Sequence, residues 1–270
     1  MSKPLVAKID SGWSDRYRRL AFQATFWGLA LFVLAPRPVA AMHIAEGILP
    51  ANWAVLWYII ALPFILIGIR MISKRTQQDR KILPLLGLAG AAVFLISAFP
   101  VPVPIAGTTS HPCGTPLAAI LLGPFIAAVL GAIALLFQAL FLSHGGLSTW
   151  GGNIMSMAVV GGFVGFAVFF VLRKMGVSLA LAAFAAGLLG DWATYAMTSF
   201  EMASALAAPG GFWQMYVSLI AGFAPTQLPL GFLEGLFTAG VAVAIRRRRP
   251  ELMGGGFLGP KNRTTVESGI

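Results

Sequence analysis

The residues best suited to binding a transition metal are three histidines and one cysteine. The 270-residue chain contains only His43, His111 and His144, together with the single Cys113. One cysteine excludes an internal disulfide, a paired redox motif and a cysteine zinc cluster. An isolated loop histidine is most often an ordinary hydrogen-bonded residue, so these side chains need a further donor before they predict a metal site.

That further donor is a free amine, available if the chain is cut before Met42. His43 would then be the second residue of the mature chain. The amine, the next amide nitrogen and the imidazole of His43 can close fused chelate rings on one metal, and His111 would complete four nitrogens. Such a set suits Ni(II) and Cu(II) and can hold Co(II). The amine must lose its proton, from an ordinary pKa of about 7.7–8.0, to bind. The sequence therefore predicts Met42, His43 and His111 as metal ligands.

Residues 1–41 are typical of a signal peptide. Their basic part ends in Arg18 and Arg19, an apolar stretch follows over residues 20–35, and Val39 and Ala41 are the small residues that precede a signal-peptidase cut. We expect cleavage after Ala41, which places the mature N-terminus on the outer face of the membrane. The alternative is a retained signal anchor.

The composition predicts a polytopic membrane protein. Apolar residues make up 58% of the chain and charged residues 10%, against about 25% charged in a soluble domain. Mean hydropathy is +0.83. The net charge of +10 lies mainly in clusters beside apolar stretches, such as the four arginines at 246–249. These clusters indicate cytoplasmic loops and not a nucleic-acid surface.

Charge parity predicts an all-α protein of about seven passes, one of them partly irregular. The irregular pass covers residues 101–123, because residues 115–141 are too few for two full helices and break at Gly123-Pro124. We expect a membrane metal-binding domain over residues 42–245 and a basic cytoplasmic tail over 246–270. The six regular passes are predicted at 53–72, 82–100, 124–143, 153–172, 178–198 and 212–245.

Several motifs resemble one family of membrane proteins. The stretch from Met42 to Pro50 reads Met-His-Ile-Ala-Glu-Gly-Ile-Leu-Pro and is similar to the N-terminal signature of the CbiM/NikM family. Further matches follow in family order: Gly-Thr-Thr-Ser-His-Pro at 107–112, Leu-Phe-Gln-Ala-Leu at 136–140, His-Gly-Gly-Leu at 144–147, Gly190-Asp191 and Glu234-Gly235. The long leader and Cys113 depart from the family pattern.

The resemblance implies a seven-helix substrate-binding component of an energy-coupling-factor importer for cobalt or nickel, as used in cobalamin biosynthesis. It implies that the free amine of Met42, with His43 and His111, holds the metal. It also implies a bacterial inner-membrane location and, as partners, a membrane coupling (T) subunit, cytoplasmic ATPase subunits and a candidate small accessory membrane subunit. The chain itself has no phosphate-binding Gly-x-x-x-x-Gly-Lys-Ser/Thr loop. The sequence does not choose between cobalt and nickel.

Two other functions compete with this interpretation. An intramembrane hydrolase would use Ser110, His111 or Cys113, although a nucleophile beside its own base in sequence rarely has the right geometry. A proton-coupled secondary metal carrier would use Asp191 and Glu234, which lie inside apolar spans without a basic partner there. For Asp191 and Glu234 a structural role is the alternative.

The roles of two further residues stay open. Cys113 is either a soft accessory ligand or a small buried residue that fills space, and His144 belongs either to a loop that closes over the metal or to an ordinary loop.

Overall fold

The computed structural model describes Gln23 and residues 40–41, 43–99, 101–103 and 108–249. The chain divides into two compact units, Met1–Pro38 and Val39–Ile270, and apart from Gln23 the described residues belong to the second. Most of the predicted signal peptide, the predicted ligand Met42 and residues 250–270 of the predicted tail lie outside the described residues.

Seven helices make up most of the part of the chain that the structure describes. Helix α5 is continuous and includes a π-helical stretch at Ile154–Gly161. The helices are α1 (Ala51–Gln78), α2 (Ile82–Ser97), α3 (Thr115–Leu122), α4 (Pro124–Phe141), α5 (Trp150–Lys174), α6 (Leu179–Leu206) and α7 (Phe212–Arg248).

The predicted all-α membrane fold is confirmed. Five helices, α1 and α4 to α7, are long and apolar enough to cross a bilayer, and the apolar α2 is shorter at 16 residues. Large apolar side chains cover the outside of the bundle, with Leu88 71% and Phe141 75% exposed. A surface of this kind is suited to lipid tails.

The predicted irregular pass is found where α3 occupies only eight residues. It follows three short strands, β1 (Ala40–Ala41), β2 (Val101–Val103) and β3 (Thr108–Ser110). Their order is β1-β3-β2, with β1 parallel and β2 antiparallel to β3. Every residue of α3 is buried, so the non-helical backbone beside it leads into protein, where irregular backbone at membrane depth is tolerated.

The break between α3 and α4 lies at the predicted dipeptide. Gly123 has a φ of 91°, a conformation that glycine adopts without a steric penalty. Pro124 is the first residue of α4, where its missing N–H would have had no partner within the helix.

Small residues decide how closely the helices approach. A Cβ on Gly187 of α6 would lie 2.8 Å from Glu234 O of α7, and a Cβ on Gly131 of α4 would lie 2.7 Å from Ala158 Cβ of α5. Within lipid, backbone packing of this kind replaces the hydrophobic drive that helices have in water.

Candidate metal site

Three imidazoles from three different connections share one buried space. His43 precedes α1, His111 precedes α3, and His144 lies between α4 and α5. The ring centroids of His43 and His111 are 4.5 Å apart, and each lies 4.9 Å from the centroid of His144. Their ligating nitrogens lie within 4.8 Å of one another, and the three side chains are 1–6% exposed.

The tautomer of His111 follows from its one ring hydrogen bond. Nδ1 lies 2.9 Å from the carbonyl oxygen of Pro112. A carbonyl oxygen only accepts, so Nδ1 carries the proton and Nε2 keeps its lone pair. Nε2 is buried and has no hydrogen-bond partner among the described residues. An unpartnered buried nitrogen of this kind is suited to a metal ion.

The tautomer of His43 is set by a chain of three hydrogen bonds. Ser97 Oγ donates to Val93 O at 2.6 Å and accepts from Gln138 Nε2 at 2.7 Å. This orients the amide so that Gln138 Oε1 faces His43 Nε2 at 2.9 Å. Oε1 only accepts, so the proton of His43 is on Nε2 and Nδ1 is free to coordinate.

His144 is brought to the other rings by a tight connection at the end of α4. Its backbone N–H donates to Gln138 O at 3.1 Å, and Ser143 before it has a φ of 50°. Gly145 has a φ of 84°, and a Cβ there would lie 3.0 Å from His43 Cβ. Within the described part of the chain, His144 Nε2 is buried without a hydrogen-bond partner.

The segment after His43 is held against the start of α5. Ile44 N donates to Asn153 Oδ1 at 2.8 Å, and Asn153 Nδ2 donates back to Ile44 O at 3.2 Å. Thr149 Oγ1 also donates to Ile44 O. The exposed Glu46 accepts from Ser148 N at 3.0 Å, and its hydrogen bonds to Ser148 lower the pKa of its carboxyl. The backbone that follows His43 is therefore held by hydrogen bonds from protein groups alone.

Burial keeps all three imidazoles neutral. Desolvation lowers the pKa of His111 to about 4 and that of His144 to about 3. Desolvation, followed by the neighbouring rings of His111 and His144, lowers the pKa of His43 well below its usual range, against an opposing effect of the Gln138 hydrogen bond. Neutral imidazoles present lone pairs at physiological pH, as ligation of a metal requires.

A second buried cluster lies on the other side of the His111 backbone. Cys113 Sγ lies 3.5 Å from Asp191 Oδ1 and 3.4 Å from Thr194 Oγ1. Glu234 accepts hydrogen bonds from Cys113 N and Gly114 N, and Asp191 Oδ2 accepts from Gln227 Nε2 at 2.6 Å. These contacts agree with a structural role for Asp191 and Glu234.

The structure brings together two of the three predicted ligands, His43 and His111, and adds His144, whose role the sequence left open.

Cys113 is directed to Asp191 and not to the histidines. The hydroxyl of Ser110 bonds to Thr226, so it does not form a nucleophile pair with His111. Sequence reasoning missed the role of Gln138, although that residue lies in one of the motifs quoted above.

Comparisons with known proteins identify a matching family and relatives that are named as metal transport proteins. Residues 43–252 match the CbiM family model, described as a cobalt uptake substrate-specific transmembrane region. Similar proteins include the cobalt transport protein CbiM of Geobacter sulfurreducens, 48% identical over 92% of this chain and 74% of that protein. Another is the cobalt transport protein CbiM of Sorangium cellulosum, 49% identical over 78% of this chain and 94% of that protein.

Solved structures share the fold. A crystal structure of a transition metal transporter is similar with a TM-score of 0.67 and 26% identity, over 76% of this chain and 92% of that one. A truncated transition metal transporter matches with a TM-score of 0.66, also at 26% identity, over 76% of this chain and 98% of that one.

The fold and these relatives define a multi-pass membrane component of a transport system, not an enzyme. The chain belongs to the CbiM family of cobalt uptake substrate-specific transmembrane regions.

Proposed function

We propose that this chain is the substrate-binding membrane component of an ATP-driven importer for Co²⁺ or Ni²⁺. The observation that carries the proposal is the convergence of His43, His111 and His144 in one buried space, with two Nε2 atoms unpartnered among the described residues. The relatives named as cobalt transport proteins make Co²⁺ the first candidate substrate. Ni²⁺ uses the same nitrogen donors and remains the second candidate.

The proposed donor set has four nitrogens. Once the leader is removed, the amine of Met42, the amide nitrogen of His43 and His43 Nδ1 form a five-membered and a six-membered chelate ring on one metal. Gln138 supports this choice because it occupies Nε2 of His43 and leaves Nδ1 free. His111 Nε2 supplies the fourth nitrogen, and His144 Nε2 is available as a fifth from the connection that closes over the site.

The proposal requires cleavage after Ala41, with residues 1–41 acting as a signal peptide. The Val39 and Ala41 pattern supports that cut. Ala41 pairs with Thr109 in the short sheet, and His43 lies against the ring of His111. Cleavage between these two positions would therefore place the free amine one residue before His43.

The charge distribution supports an outward-facing metal site. The histidines lie in the connections before α1, before α3 and before α5, whereas α1, α5 and α7 each have basic residues in their last turn. By the positive-inside rule the basic ends are cytoplasmic. The metal is then captured at the outer face of a bacterial inner membrane, and the C-terminus is inside.

Energy must come from other subunits. The chain has no phosphate-binding loop, so ATP hydrolysis requires separate cytoplasmic ATPase subunits. A membrane coupling subunit would transmit that energy to this chain, and a small accessory membrane subunit is a further candidate partner. The lipid-facing apolar surface of the bundle offers area for such contacts.

Uptake of labelled Co²⁺ and Ni²⁺ by cells that express the chain with its partner subunits tests the proposal. We expect His111→Ala to abolish uptake while membrane insertion and subunit assembly persist, because only one imidazole is removed. Cys113→Ser, a change at a buried neighbour, is the matched control and should retain most uptake. Uptake by His111→Ala at the wild-type rate would contradict the proposed site.

A further inference from the structure

The backbone that carries His111 is bonded to a carboxylate of α7. Glu234 Oε2 accepts a hydrogen bond from Cys113 N at 2.6 Å, and Oε1 accepts one from Gly114 N at 2.8 Å. Glu234 is 2% exposed, and hydrogen bonds from backbone N–H groups to a buried carboxylate are among the strong ones in proteins. One side chain therefore fixes two successive peptide groups directly after His111 and Pro112.

Two more hydrogen bonds hold the same loop, residues 110–114, to α6 and α7. The hydroxyl of Tyr195 on α6 donates to the carbonyl of His111 at 3.0 Å. Ser110 Oγ lies 2.9 Å from Thr226 Oγ1 on α7. The backbone on both sides of the His111 ring is thus fixed by α6 and α7.

The other two histidines are held by different helices. His43 bonds to Gln138 of α4, and Gln138 bonds in turn to Ser97 of α2. Ile44 bonds to Asn153 of α5, and the His144 peptide bonds to the end of α4. The candidate metal site is therefore held by two groups of helices, and the loop that carries His111 is held by α6 and α7.

We propose that Glu234 is a positioning residue for metal binding, which sets the place of His111 Nε2 through the peptide N–H groups of Cys113 and Gly114. The proposal rests on the proposed function. Its consequence is that the position of α7 determines whether His111 meets the donors of His43. A shift of α7 relative to α2, α4 and α5 would remove one nitrogen from the metal and weaken its binding.

The surroundings of Glu234 favour this role over that of a second cation site. Both of its oxygens already accept backbone N–H groups, which leaves the carboxylate committed to the loop. Glu234 and Pro112 also line a cavity of about 480 Å³ between α2 and α7, so unfilled space lies beside the loop that Glu234 holds.

The test is a double-mutant cycle on the full chain, purified with its mature N-terminus verified by mass. Ni²⁺ affinity is measured by chelator competition for wild type, Glu234→Gln, His111→Ala and the double variant. Glu234→Gln replaces one acceptor by a donor facing a peptide N–H. We expect it to weaken Ni²⁺ binding by about tenfold, the low end for loss of an outer-shell partner. In the His111→Ala background, where the amine and His43 donors remain, the same change should have no effect.

Two further variants keep the test decisive. Tyr195→Phe removes only the hydroxyl that reaches the His111 carbonyl, so it should fold and show the same dependence on His111 with a smaller loss. Glu201→Gln is the matched control, because Glu201 is equally buried on α6 and makes no hydrogen bond to any described residue.

Unchanged affinity in Glu234→Gln, or equal losses with and without His111, would overturn the positioning role. If Glu234→Gln does not insert into the membrane, the same cycle is measured with Tyr195→Phe. An affinity loss that is equal with and without His111 would then contradict positioning of His111 by its loop. If the wild-type chain does not bind Ni²⁺, the same cycle is measured with Co²⁺, and failure to bind either ion would instead contradict the proposed function itself.

Discussion

The protonation state of each histidine nitrogen is decided by a neighbour that is not itself a ligand. Pro112 O holds the proton of His111 on Nδ1, and Gln138 Oε1 holds that of His43 on Nε2. The two remaining nitrogens are the ones that the proposed chelate requires. Both hydrogen bonds come from protein groups alone, so they preorganise the two imidazoles for the ion.

Proton release on metal binding distinguishes the donors. Because burial lowers the pKa of His111 to about 4 and of His144 to about 3, these imidazoles carry no proton at pH 7 that a metal could displace. The amine of Met42, with an ordinary pKa near 7.7–8.0, and the amide of His43 do carry one. Calorimetry of Ni²⁺ binding at pH 7 in buffers of different ionisation enthalpy should report roughly two protons released.

The sign of the pH dependence follows from the same groups. Protons compete with the metal for the amine, so affinity should rise with pH between pH 6 and 8. A site built only from neutral imidazoles would release close to no protons at pH 7 and show little pH dependence in that range. That result would contradict amine and amide ligation.

Sequence patterns predicted His43 because it would be the second residue of the mature chain, and His111 because it lies in the irregular segment. They did not decide His144, because 32 residues and two helices lie between it and His111. Spacing of that length gives no information on ring direction. The function of Gln138 could not be predicted from the sequence either, because Ser97 of another helix orients its amide.

At the scale of elements, local residue types predict where some helices end, but they do not predict irregularities inside a helix. The break at Gly123-Pro124 was predicted because glycine and proline act on their own backbone. The π-helical stretch Ile154–Gly161 was not predicted, because no local residue pattern specifies it. Helix α7 contains Pro225 and Pro229, yet it continues from Phe212 to Arg248, three residues beyond the pass predicted over 212–245.

Close packing of α4 on α5 depends on one missing methyl group. A Cβ on Gly131 would lie 2.7 Å from Ala158 Cβ and 3.1 Å from Thr115 Cγ2, which are side-chain atoms of fully buried residues. We expect Gly131→Ala to destabilise the protein by roughly 1–3 kcal/mol through overpacking. Thermal unfolding of the detergent-purified chain measures the effect.

Gly87→Ala is the control for that substitution. Gly87 lies inside α2, and a Cβ there meets no atom within 4 Å, so alanine should be neutral or slightly stabilising through its helix propensity. Equal melting temperatures for the two variants would show that α4 and α5 leave enough space at Gly131 for a methyl group, which would contradict the close packing described here.

For the whole molecule, the clusters of Lys and Arg predict which helix ends face the cytoplasm. The cytoplasmic assignment of the basic helix ends fits one tertiary contact, in which Arg75 near the end of α1 donates to Leu122 O at the end of α3.

The proposed orientation is testable with single cysteines, because the native Cys113 is fully buried and the unaltered chain serves as the unlabelled control. A membrane-impermeant thiol reagent should label Leu147→Cys, at an exposed position beside the histidines, in intact spheroplasts. Gln78→Cys, at the exposed end of α1, should be labelled only after permeabilisation. The reverse pattern would place the metal site on the cytoplasmic side.

The central claim is that the metal is bound by the amine of Met42 together with His43 and His111. Inserting two alanines between Ala41 and Met42 tests it most directly, because every side chain remains while the amine moves two peptides away from His43. A single inserted alanine would leave His43 third, where the amine, two amide nitrogens and the imidazole again form fused chelate rings on Ni²⁺. With mass spectrometry confirming a mature chain that begins at the first inserted alanine, the account predicts that Co²⁺ or Ni²⁺ affinity falls by more than about 100-fold, since loss of even an outer-shell partner costs about 10–100-fold. Unchanged affinity in that protein would show that the terminal amine is not a ligand.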